Sequence, residues 1–97
     1  MAATVHVVAR YTAKAGKDAE LAAVLSALIA PSRREIGCYQ YDLLRNPEDP
    51  LDFCFVERWE SDRAFEQHSA SAHVTNARTQ VQPLVEQPAD VRRYHIL

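Results

Sequence analysis

Between Thr4 and Ala13 the chain reads TVHVVARYTA, a run of β-branched and aromatic residues that predicts a strand. Val5, Val7 and Tyr11 fall on one side of it, and Val8 falls on the other with His6 and Arg10. Ala15-Gly16 closes this strand with a turn, after which the hydrophobic period lengthens. Leu21, Val24, Leu25, Leu28 and Ile29 stand at i, i+3, i+4, i+7 and i+8, the apolar face of a helix that begins near Lys17. Pro31 must end or kink that helix. Gly37 opens an alternating aromatic strand, CYQYDLLR, the prolines of NPEDP enforce a turn, and DFCFVERWE returns antiparallel as a hairpin. Ser61 is a good N-cap for a short helix, DRAFEQH, with Asp62 in its first turn where the helix dipole favours negative charge. Ser71 is placed to cap a second helix whose stripe is Val74, Ala77, Val81, Leu84 and Val85, Pro88 stops it, and ADVRRYHIL reads as a final strand.

The order is thus βαβ, then β, one or two helices, and β. This predicts an α+β fold over residues 1–97 as one domain: a ferredoxin-like antiparallel sheet with helices on one face. Helices on one face leave the other open, yet both phases of the strands carry apolar residues. The open face therefore calls for a second sheet, and the expected assembly is a homodimer. Size points the same way, since a chain of 97 residues buries only about two thirds of the surface its unfolded form exposes.

Composition narrows the partners. With 47% hydrophobic and 25% charged residues, a net charge of -2 and no cluster of Lys/Arg, the chain has no footprint for nucleic acid or for an anionic membrane. The start lacks a signal-peptide pattern and no apolar run reaches a membrane span, so a cytoplasmic location is expected. Cys38 and Cys54 have no paired spacing and are expected as free thiols. Only Gly16 and Gly37 are present, so no glycine-rich phosphate loop supports a nucleotide or flavin.

The candidate chemistry lies around Trp59. Phe53, Phe55, Glu57 and Trp59 share one strand face, which would give an aromatic wall, one carboxylate and one indole N–H to a pocket roofed by the segment of His68 and His73. Tyr11 and Phe65 would complete the lining. Each of these residues also has a plain structural reading: Trp59 as core, His68 against the terminal carbonyls of its helix, His73 on the surface. His73 falls in the first turn of a helix, where the dipole disfavours a cation and keeps the imidazole neutral. On one continuous helix His68 and His73, five residues apart, diverge by about 140°, which argues against a shared metal. A break at Ser71 would instead turn both toward one pocket. Cys54 lies on the opposite strand face from Trp59.

Taken together, Ala15-Gly16, Glu35-Ile36-Gly37-Cys38, Tyr41-Asp42, Asn46-Pro47, Phe53, Glu57, Trp59-Glu60-Ser61, His68 and His73 resemble the antibiotic biosynthesis monooxygenase domain family, across essentially the whole chain. The closest likeness is to the quinol-monooxygenase-like branch, with a further likeness to the branch that isomerises a phosphorylated autoinducer sugar. The resemblance implies a dimeric α+β barrel and catalysis without cofactor. It implies a small aromatic substrate and O2, with His68, His73 and Glu57 as catalytic candidates and Trp59, Phe53, Phe55, Tyr11 and Phe65 around the substrate. Glu57 would orient or charge-stabilise the basic imidazole. Haem degradation occurs on the same fold, but that branch's Asn would fall at Ala9 and its haem-ligand His near Arg78, which argues against haem. The same residues also suit an isomerase of a small hydroxy-ketone, or a non-catalytic binding or stress-response dimer.

Overall fold

In the computed structural model, which describes residues 3–97, strand β1 (Val5–Thr12) leads into helices α1 (Asp18–Ser26) and α2 (Ile29–Arg33). Strands β2 (Cys38–Arg45) and β3 (Asp52–Trp59) follow, then helices α3 (Asp62–Ser69) and α4 (Ala72–Val81), a 3-10 turn (Gln82–Leu84) and strand β4 (Asp90–Tyr94). All pairings are antiparallel and the order is β2-β3-β1-β4, the ferredoxin-like α+β arrangement. None of the helices among the described residues is long and apolar enough to cross a membrane.

The first helix differs from its expected form. It breaks after Ser26 and restarts at Ile29, because Pro31 has no N–H to give and its ring would press on the carbonyl of Ala27. In the restarted helix Pro31 sits in the first turn, where the missing donor costs nothing. The break leaves the apolar face intact: Leu21, Leu25 and Leu28 are all buried.

The second half is also shorter in its regular parts than the pattern suggests. Ser61 does cap α3, accepting from the Ala64 N–H at 3.1 Å. Ser71 stands at the N-cap of α4 but its side chain does not cap it; its Oγ donates backward to the His68 carbonyl at 2.6 Å. The apolar stripe outlasts its helix, for Leu84 lies in the 3-10 turn and Val85 bridges Ala13. The last strand pairs with β1 only from Asp90 to Tyr94. Both cysteines are free, and Cys54 faces away from the helices with Val56 and Arg58.

Period-2 alternation fixes what the core contains. Val5, Val7 and Ala9 of β1 and Phe53, Phe55, Glu57 and Trp59 of β3 are buried under the helices, joined by Tyr41 of β2. The register sets Glu57 opposite Val7 on one side and Tyr41 on the other, so a carboxylate lies mid-sheet among apolar neighbours. Gly37 governs how α3 meets this sheet: it takes φ +86°, its carbonyl accepts from the Glu60 N–H at 2.8 Å, and a Cβ there would stand 2.9 Å from the Ala64 Cβ. Gly37→Ala combines left-handed backbone strain with a clash between fixed atoms, and should cost about 2–4 kcal/mol. A melting temperature unchanged within a degree or two would contradict that close approach.

Candidate active site

Among the described residues no Lys or Arg pairs with Glu57. The Trp59 indole N–H, two residues along the same face of β3, donates to its Oε1 at 2.8 Å. Burial pushes the Glu57 carboxyl up to about 7; the Trp59 hydrogen bond partly offsets this, and the charge of Glu35 adds to it.

His68 reaches the same place from the last turn of α3, whose inward face is Ala64, Phe65 and His68. Its ring lies 4.5 Å from the Trp59 ring and 5.2 Å from that of Tyr41. Nδ1 is 2.5 Å from Glu35 Oε2, and Nε2 is 3.9 Å from Glu57 Oε1. Burial holds the imidazole below its ordinary pKa, opposed by the hydrogen bond and charge of Glu35. A neutral ring that donates Nδ1–H to Glu35 keeps Nε2 as a proton acceptor. The carboxylate that orients His68 is therefore Glu35, in the loop before β2, and not Glu57.

The corner between α3 and α4 brings His73 to the same carboxylate. Its Nε2 lies 3.4 Å from Glu35 Oε2 and 3.4 Å from Ser71 Oγ, with the two imidazole centroids 6.1 Å apart. One donor atom from each of Glu35, His68 and His73 falls within 4.8 Å of the others, so the 140° divergence of a continuous helix does not apply. The His68–Glu35 contact is nonetheless a hydrogen bond's spacing. Two ligands of one tetrahedral zinc stand about 3.3 Å apart at bond lengths near 2.0 Å.

A cavity of about 790 Å³ opens between the sheet and α4, and Tyr11, Tyr41, Glu57, Phe65, His68 and Arg78 are among its walls. Burial pushes the Tyr11 hydroxyl up to about 12, and burial with the nearby Glu57 charge raises that of Tyr41 further still. Of the residues expected here, Tyr11, Glu57, Phe65 and His68 line the cavity. Phe53, Phe55 and Trp59 do not; they are fully packed behind it, where Phe55 lies against Tyr41 at 4.6 Å and Trp59 against His68. The Trp59 N–H goes to Glu57 and not to the open space. His73 lies outside the lining, with 28% of its side chain exposed.

Sequence reasoning gave no site role to Glu35, Tyr41 or Arg78, although the first two are among the residues that carry the family resemblance. Tyr41 follows from alternation in β2 and Arg78 from its place one turn after Val74 on α4. Glu35 follows from neither, because a loop has no period.

The chain also matches a known family. Residues 4–80 fit the model of the antibiotic biosynthesis monooxygenase family. The chain belongs to that family. Among its relatives, the Mycobacterium tuberculosis protein named "Putative monooxygenase Rv0793" is 36% identical over 91 residues, 94% of this chain and 89% of that protein. The crystal structure of Rv0793 superposes with a TM-score of 0.91 at 34% identity, covering 97% of this chain and 95% of that one. The crystal structure of Pseudomonas aeruginosa PA3566 gives 0.93 at 32% identity, covering 100% and 97%. Family membership and these names support a monooxygenase-like function.

The raised carboxyl yields a test. Folded protein keeps the Glu57 proton that the unfolded chain loses near pH 4.5, so stability falls as pH rises from there through about 7, by at most about 3 kcal/mol. Glu57→Gln keeps an acceptor for Trp59 and removes the ionisation. At pH 8 the variant should be more stable than the parent by about 1–3 kcal/mol, with the gap closing toward pH 5. Equal denaturation curves at both pH values would contradict the buried charge.

Proposed function

We propose that this family member is a cofactor-independent monooxygenase that oxidises a small quinol or polyphenol with O2, with His68 as the base. The observation that carries the reading is a buried imidazole whose Nδ1 is held by Glu35 and whose Nε2 is left free at an aromatic-lined cavity. A hydroquinone that takes up one O2 leaves as a hydroxyquinone plus water, so the substrate supplies every electron and no external reductant is required. Removing a phenolic proton makes it an electron donor strong enough to begin that exchange.

Transfer from a phenol of pKa about 10 to an imidazole held below its ordinary pKa is uphill by at least roughly 5 kcal/mol. That fits within the roughly 16 kcal/mol barrier of a turnover near 10 per second, provided oxidation draws the phenolate forward. Glu57, titrating near neutrality, is the second proton carrier at the cavity wall. Trp59 and Phe55 hold His68 and Tyr41 in place, and His73 shares the carboxylate that orients the base.

Oxygen uptake by metal-free protein against a panel of hydroquinones tests the proposal. Uptake should exceed the buffer rate, fall at least 100-fold in His68→Ala, and fall by less than tenfold in His73→Ala. Because burial depresses the His68 pKa, the loss of activity due to its protonation should set in at lower pH than a free imidazole would give. Uptake at the buffer rate with every quinol removes the oxygenase reading. A second reading is favoured by one observation: His68 and a Glu57 titrating near 7 form a base and acid pair on one cavity, as proton-shuttling isomerases need. Proton exchange into a hydroxy-ketone without O2 uptake would select it.

We also propose that the protein is a homodimer joined through the open face of the sheet. Support comes from half-buried Val8, Val56 and Cys54 beside Leu44 and Tyr94, which are 45% and 50% exposed, on the side that no helix covers. Sedimentation at micromolar concentration should give about twice the 11.0 kDa of one chain, and a mass near one chain would refute the dimer.

A further inference from the structure

Two arginines line the cavity, and their surroundings differ. Arg93 is neutralised: its Nη1 lies 3.2 Å from Asp62 and 3.4 Å from Glu66, and its guanidinium stands 4.8 Å over the Phe65 ring. Arg78 takes part in none of the ion pairs among the described residues. It belongs to the cavity face of α4, where Val74, Ala77, Arg78 and Val81 follow one another at helical spacing. Its positive charge pulls down the pKa of both Tyr11 and His68, so it acts on the sheet wall and on the base alike.

An unpaired arginine on a cavity wall is a recognition group for a carboxylate, which a guanidinium binds through two parallel hydrogen bonds. The volume of about 790 Å³ leaves room for more than a single dihydroxy ring. Building on the quinol reading, we propose that Arg78 anchors an anionic substituent, so that the substrate is an aromatic acid whose carboxylate meets α4 while its phenol meets His68. A monoanion fits better than a phosphate. Among the described residues Arg78 is the one free cation at this wall, and Glu86, exposed on the same rim, would repel a dianion.

Calorimetric titration without oxygen isolates binding from turnover, with 2,5-dihydroxybenzoate, its methyl ester and glycolaldehyde phosphate as probes. The acid should bind the parent protein at least tenfold more tightly than the ester. Arg78→Ala should abolish that preference while leaving ester affinity within twofold, and Arg78→Lys should restore part of it. Arg78 is exposed on a helix, and matching thermal melts establish that both variants are folded. Equal affinity for acid and ester, a preference that survives in Arg78→Ala, or Arg78-dependent binding of the phosphate alone each overturn the proposal. Acid preference lost in Arg78→Ala, together with oxygen uptake at the buffer rate, would leave this assignment standing and remove the oxygenase reading instead.

Discussion

Across 33 residues of chain, the carboxylate of Glu35 comes to 2.5 Å from an imidazole nitrogen of His68. The contact joins the loop before β2 to the end of α3, and the geometry of the cavity follows from it. It selects the ring nitrogen that stays free, sets the ring against Trp59, and brings His73 in from the next helix. Gly37, two residues after Glu35, makes the contact reachable: only a residue without Cβ lets that loop pass so close to Ala64.

The site is held together at some cost to the fold. Register carries Glu57 into the sheet centre, where its charged form is cut off from water. A single indole hydrogen bond does not balance the loss of water around a carboxylate. The surrounding aromatic packing of Phe55, Tyr41 and Trp59 supplies the compensation, and these rings are among the most deeply buried side chains present. Phe55 and Trp59, behind the cavity, thus support the site by packing although neither lines it.

What could be read from the sequence was whatever obeys a period. Alternation gave the strands nearly to the residue, as in Cys38–Arg45 and Asp52–Trp59, and put Glu57 and Trp59 on the buried face. Helical spacing found Leu21, Leu25 and Leu28, and the Ser61 cap located α3. The limits have physical causes too. A proline argument says that a helix must yield near Pro31 but not that it restarts two residues earlier. Ser71 is a competent cap by composition, yet its hydroxyl found a closer acceptor in the His68 carbonyl. Glu35 was visible only as part of the family resemblance, because its role depends on a partner from another element.

One consequence concerns the protein's own safety. On the quinol reading proposed above, a site that turns a phenol into an electron donor beside O2 carries phenols of its own, for Tyr11 and Tyr41 stand in the same cavity. Burial and the neighbouring Glu57 raise both hydroxyls, Tyr11 to about 12 and Tyr41 beyond it, so neither ionises under physiological conditions. A protonated tyrosine is a poor reductant. On that reading, the burial that keeps these side chains neutral also shields the protein from oxidising itself, leaving an incoming guest as the oxidisable ring in the chamber.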